Sequence, residues 1–118
     1  MILDANALLM PFQFKMNLDT ELLRLVGDCE ILVPSSVIGE LRRAKSTSKD
    51  ASAALALAEK YTVHQVEGSG DDSILELANE TEGIVVTNDK TLIQRLKRSG
   101  IPVIFMRSRN HLVLERTV

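Results

Sequence analysis

Brief β-branched runs bounded by turn residues alternate along the chain with stretches of helical period, and this alternation limits the fold more than any other feature. Residues 1–3, 30–33, 62–66, 84–87 and 102–106 read as strands, and 20–26, 36–44, 51–60, 72–82 and 90–98 as helices. In the second helix Val37, Ile38, Leu41 and Ala44 form one apolar stripe; Ile74, Leu75 and Ala78, then Leu92, Ile93 and Leu96, repeat it. Gly27, Gly83 and Gly100 each follow a helical segment and suit left-handed C-caps. Strands separated by helices pair in parallel through right-handed crossovers, with helices on both faces of the sheet. The runs at 84–86 and 103–105 are apolar without alternation, as a sheet covered on both faces requires. The expectation is a three-layer α/β/α sandwich, one domain over residues 1–118.

Charge is where the chain departs from an ordinary globular pattern. The formal net charge of −2 argues against a uniformly basic nucleic-acid module. Resolved along the chain, that number is a cancellation. Residues 71–89 carry six acids and no Lys or Arg, whereas 90–118 carry seven bases and a single acid, Glu115. Such a layout can hold divalent cations in one place and a polyanion beside it. Cys29 is the one cysteine, which excludes an internal disulfide and fits a reducing cytoplasm. The apolar stretches are too short to span a bilayer, so no membrane role is expected.

In open parallel α/β sheets, ligands bind beyond the carboxyl ends of the strands. Four crossovers each bring a carboxylate to that edge. Asp4 follows the first strand, Glu40 lies in the helix after the second, Asp71 and Asp72 open the helix after the third, and Asp89 follows the fourth. Each has a structural explanation too: Asp4 could close an Asx-turn, and Asp71, Asp72 or Asp89 could cap or begin a helix. Glu40 fits that explanation less well. With Val37 at 0° and about 100° per residue it falls near 300°, at the border of the buried stripe. Carboxylates converging in one cleft repel one another and call for a cation. An all-oxygen set suits Mg²⁺ or Mn²⁺, while His64 and His111 stand apart from any zinc-type spacing. Gly68-Ser69-Gly70 runs into two aspartates and would repel a phosphate, and no Gly-Lys-Ser/Thr or Gly-x-Ser-x-Gly is present.

Five segments together resemble PIN-domain nucleases over essentially the whole length. They are Ile2-Leu3-Asp4-Ala5-Asn6, then Val33-Pro34 through Val37-Ile38-Gly39-Glu40-Leu41, then Asp71-Asp72-Ser73-Ile74-Leu75, then Ile84-Val85-Val86-Thr87-Asn88-Asp89, and last the apolar run 101–106 with its basic tail. In detail they are most similar to short archaeal PIN proteins related to eukaryotic ribosomal-RNA-processing PIN nucleases, and less so to VapC-type toxins. The resemblance implies a Rossmann-like α/β/α fold with a five-stranded parallel sheet and a Mg²⁺- or Mn²⁺-dependent endoribonuclease centre. It assigns Asp4, Glu40, Asp72 and Asp89 as catalytic metal ligands, with Asn6, Thr87 and Asn88 as supports. Asp72 is taken because the family aspartate directly precedes the helical apolar run, which leaves Asp71 as cap or support. RNA would lie along Arg42, Arg43, Lys45, Lys90, Arg107 and Arg109, with Arg95, Lys97 and Arg98 on the same basic face. Further implied are a homodimer and either an antitoxin or a ribosome-assembly partner. Two other readings compete: a catalytically idle RNA-binding scaffold, and a receiver- or phosphatase-like domain phosphorylated on Asp4.

Overall fold

A computed structural model describes residues 1–108 and 111–116. In chain order the elements are β1 (Ile2–Leu3), α1 (Ala5–Phe14), α2 (Leu18–Val26), β2 (Leu32–Pro34), α3 (Ser35–Ala44) and α4 (Lys49–Ala58). There follow β3 (Thr62–His64), α5 (Gly70–Thr81), β4 (Val85–Val86), α6 (Lys90–Arg98), β5 (Val103–Ser108) and β6 (His111–Glu115). The sheet order is β3-β2-β1-β4-β5-β6. The first five strands pair in parallel, as the alternation requires, and β6 returns antiparallel against β5. Strands β1 and β4 lie at the centre, and Ile2, Leu3, Val85 and Val86 have no solvent exposure. Leu8 and Met10 of α1 and Leu92 and Leu96 of α6 are sealed equally well. Truncating any of these leucines to alanine would cost about 2–5 kcal/mol. Among the described residues, no helix is long and apolar enough to cross a membrane.

Two elements lie outside the periodicity pattern. Helix α1 carries Pro11 in its interior, and its apolar residues wrap too widely to form a stripe. Asp4 nucleates it as N-cap, accepting the Ala7 N–H at 2.8 Å, and Lys15 ends it in the left-handed conformation. Strand β6 occupies what reads as a basic tail, and side chains of α2 fasten it. Glu21 Oε1 accepts the Leu112 N–H at 2.9 Å, while Arg24 Nη2 donates to the Leu112 carbonyl at 2.9 Å. The outward backbone groups of this residue on the edge strand are thereby paired, which protects an otherwise open edge.

Two of the three glycines have the positive φ of a C-cap glycine, although ψ of −163° keeps Gly27 out of the left-handed helical conformation. Gly27 and Gly100 have φ of 73° and 72°, but after α5 it is Glu82 that turns left-handed, at φ 51°. Gly83 is needed for room instead: a Cβ there would stand 2.9 Å from Thr81 Oγ1 and 3.5 Å from Ile2 Cδ1.

The Glu21 clamp has a measurable consequence. Hydrogen bonds from Arg24 and from the Leu112 N–H hold the Glu21 carboxyl at about 2, against an ordinary 4.5. A depressed acid stabilises the fold above its unfolded value, and that contribution fades as pH falls toward the folded one. Glu21→Gln should therefore lose about 1 kcal/mol at pH 7, and its melting temperature should fall less steeply than the wild type's between pH 5 and pH 2. Parallel acid limbs for the two proteins in thermal melts would contradict the clamp.

Candidate active site

The carboxyl ends of β1 and β4 are tied by one hydrogen-bond network. Asp4 follows β1, and its Oδ2 accepts the hydroxyl of Thr87, a fully buried residue just past β4. Thr87 Oγ1 accepts the Asp89 N–H at 3.1 Å. Asp89 in turn caps α6, its Oδ1 accepting Thr91 N–H at 2.9 Å and Leu92 N–H at 3.2 Å. Beside this runs a second link. Asn6 Oδ1 accepts the Asn88 N–H at 3.1 Å, and Asn88 Oδ1 accepts the Met106 N–H from β5 at 3.3 Å. Asn6, Thr87 and Asn88 thus bind three strand ends together around Asp4. Asp4 and Asp89 cap helices and still face the cleft, since each cap engages only part of a carboxylate's capacity to accept.

A cleft of about 170 Å³ opens at this edge, and its polar lining comprises Asp4, Asn6, Ser36, Glu40, Asp71 and Asp89. Larger hollows of about 400 and 440 Å³ each carry a single acid, and one of about 180 Å³ gathers three, Glu67, Glu76 and Glu80, away from the carboxyl ends of the central strands. Four acids from four crossovers, met at the carboxyl edge of the sheet, single out the cleft of about 170 Å³.

The structure exchanges the two neighbouring aspartates. Asp71 lines the cleft, whereas Asp72 lies outside it with its side chain 81% exposed, pairing with Arg95 Nη2 at 2.7 Å. The reason is helical phase. Helix α5 begins at Gly70 rather than at Asp72, so Asp71 and Ile74, at i and i+3, share the face that lines the cleft. One residue further on, Asp72 is rotated about 100° toward α6. Glu40 also departs from expectation: it lines the cleft but is exposed overall, so its own burial does not demand a partner. Ser36 is not a cap of α3. That helix instead starts at Ser35 behind Pro34, without a side-chain cap, and Ser36 turns into the cleft. No pattern of charge or spacing flags it.

None of the described basic residues lines the cleft. Arg42 and Lys45 border the separate hollow with Ile38, Leu55 and Val63, and Arg43 is exposed on the same helix. Lys90 begins α6 directly after Asp89. Arg107 and Lys97 lie over the Phe105 ring at 5.8 and 5.5 Å, and Lys97 also meets Glu115 at 3.1 Å. Arg109 lies outside the described residues.

Burial dominates the electrostatics of Asp4, which is 6% exposed. It pushes the carboxyl up to about 7 against the hydrogen bonds from Thr87 and Ala7, with the charges of Glu40 and Asp89 adding to the rise. Burial, then Asp89, also raises Asp71, with Arg95 opposing. Among the described residues, no three His, Cys, Asp or Glu side chains are drawn up into a ready metal shell. The donor set nevertheless fits a hard divalent cation. It is all oxygen, Asp4 is fixed by two hydrogen bonds, Glu40 and Asp71 carry no side-chain hydrogen bond among the described residues, and the mutual repulsion of the anions is what a cation would relieve.

A parallel α/β sheet with an acidic cleft at its carboxyl edge defines the class, and sequence comparison supplies the family. The model described as "PIN like domain" matches residues 1–109, and the chain belongs to the PIN-domain family. It is 30% identical over 119 residues to ribonuclease VapC9 of Archaeoglobus fulgidus, covering 97% of this chain and 87% of that protein. To ribonuclease VapC4 of Methanocaldococcus jannaschii it is 34% identical over 118 residues, covering 92% and 90%. Among solved structures, the PIN domain endonuclease Utp24 superposes with a TM-score of 0.82 at 25% identity, covering 99% of this chain and 91% of that one.

Proposed function

We propose that this chain is a metal-dependent endoribonuclease whose centre is the cleft of Asp4, Glu40, Asp71 and Asp89. The observation that carries the proposal is the delivery of four carboxylates by four separate crossovers to one small cleft at the ligand-binding edge of the sheet. The relatives named ribonucleases, and the neighbour named an endonuclease, support RNA as the substrate.

A bound Mg²⁺ or Mn²⁺ supplies activation of an attacking water and charge neutralisation at the scissile phosphate. The protein's part is positional. Ala7 N–H and the Thr87 hydroxyl hold both oxygens of Asp4, so its direction is set before any ligand arrives. Among the described residues Glu40 and Asp71 meet no side-chain hydrogen-bond partner, so they can adjust. Asn6, with its Oδ1 engaged by Asn88, presents its amide N–H groups as neutral donors in an otherwise anionic cleft. The basic helix α6 leads away from Asp89, and Lys90, Arg95 and Arg98 give a path for the backbone of the RNA. Aromatic stacking platforms are scarce, with three Phe, one Tyr and no Trp, so binding should be salt-sensitive and weakly sequence-selective.

The test is a single-stranded RNA and the DNA of the same sequence, each incubated with the protein in Mn²⁺ and their product ends mapped. RNA cut internally to leave 5′-phosphate and 3′-hydroxyl ends, with the DNA intact, is the expected result. Equal cutting of DNA, or ends of the opposite polarity, would overturn the assignment.

A further inference from the structure

We propose that Ser36 faces the cleft as an obligate acceptor and serves as a neutral oxygen ligand to the cation or to its water shell; this rests on the metal-dependent reading above. The case is a count of protons. Ser73, fully buried in α5, has its Oγ 2.8 Å from the Gly70 carbonyl oxygen and 2.9 Å from Ser36 Oγ. Each of these oxygen pairs needs a hydrogen between its members, because two lone pairs at that distance repel. A carbonyl brings none, so the Ser73 hydroxyl must donate to Gly70. The hydrogen between the two serines then belongs to Ser36. Ser36 Oγ has spent its only proton on Ser73, and what remains for the cleft is lone pairs.

That polarity matters for its neighbours. A serine with a free proton would donate to Glu40 or Asp71 and compete with a cation for the same carboxylate. With its proton tied down, Ser36 cannot do this, and it adds an oxygen donor without adding a fifth negative charge to the four of Asp4, Glu40, Asp71 and Asp89. The adjacent Ser35 is engaged elsewhere: its Oγ accepts the Val66 N–H at 3.0 Å. Ser73 is a positioning residue here, acting on the cleft only through the direction of the Ser36 proton.

Calorimetric titration of the purified protein with Mn²⁺ alone, without RNA, tests the proposal, with thermal melts to verify folding. Ser36→Ala should weaken Mn²⁺ binding about tenfold, and Ser36→Thr, which keeps the hydroxyl, should stay within about threefold of wild type. Ser73→Ala releases the Ser36 proton and should also weaken binding, while adding Ser36→Ala to it should cost nothing further. Wild-type affinity in Ser36→Ala, alongside lost affinity in Asp71→Asn, would overturn the role of Ser36 and leave the metal centre standing. A folded wild-type protein that takes up no Mn²⁺ would overturn both.

Discussion

Asp4→Asn is expected to abolish RNA cleavage and, at the same time, to stabilise the protein when divalent cations are chelated. Both effects come from removing one buried negative charge while keeping the side-chain shape. Even supports that merely orient a metal ligand typically cost 10- to 100-fold when mutated, so loss of the ligand charge itself should lower the rate by at least ~10²-fold. The stability effect has the opposite sign. An acid held at about 7, against an ordinary 3.8, is ionised at a cost to the fold, and that cost grows as pH rises from about 4 through about 7. Without divalent cations the wild type should therefore melt lower at pH 8 than at pH 5, and Asp4→Asn should lack that loss. A cost of even ~1 kcal/mol moves the melting temperature of a domain this size by about 4 °C. Identical pH profiles for the two proteins in EDTA would show that burial of Asp4 carries no such cost.

Asp71→Asn and Asp72→Asn should separate by a factor of ten or more in activity, although the residues are adjacent. Asp71 lines the cleft, and its loss should cost at least ~10²-fold in rate, by the same reasoning as for Asp4. Asp72 pairs with Arg95 in solvent, and exposed ion pairs are worth about 0–1 kcal/mol. Its amide should keep cleavage within about tenfold of wild type, with the change falling on KM through a less restrained Arg95. Equal losses in kcat for the two variants would return Asp72 to the metal centre and require α5 to start in a different phase.

That pair also marks where the sequence stops being legible. Strand–helix alternation specifies five parallel strands and brings acids from four crossovers to one edge, because the covalent order and the handedness of crossovers leave few alternatives. It does not set the start of α5 to the residue, and only inside the helix does Asp71 take the i, i+3 relation to Ile74 that turns it to the cleft. Ser69 is of a residue type that favours the N-cap, yet it makes no side-chain cap bond, and the acidic pair offers competing starts. Helix α1 is hidden because Pro11 reads as a breaker and because buried Ala5, Ala7, Leu8 and Met10 make no single stripe. Strand β6 is hidden for a different reason: its fastening to Glu21 and Arg24 spans about ninety residues of chain. Ser36 belongs to the same group, since its role depends on a proton that Ser73, thirty-seven residues away, accepts from it.

On the proposed function, this cleft cuts RNA only with a divalent cation in place. The most direct test is a continuous cleavage assay on a fluorophore-quenched single-stranded RNA, started with Mn²⁺, interrupted with EDTA, and restarted with excess Mn²⁺. Cleavage should stop at once on chelation and resume on re-addition. Cleavage that continues through EDTA would contradict that function, and so would a protein that binds the RNA in Mn²⁺ and leaves it intact.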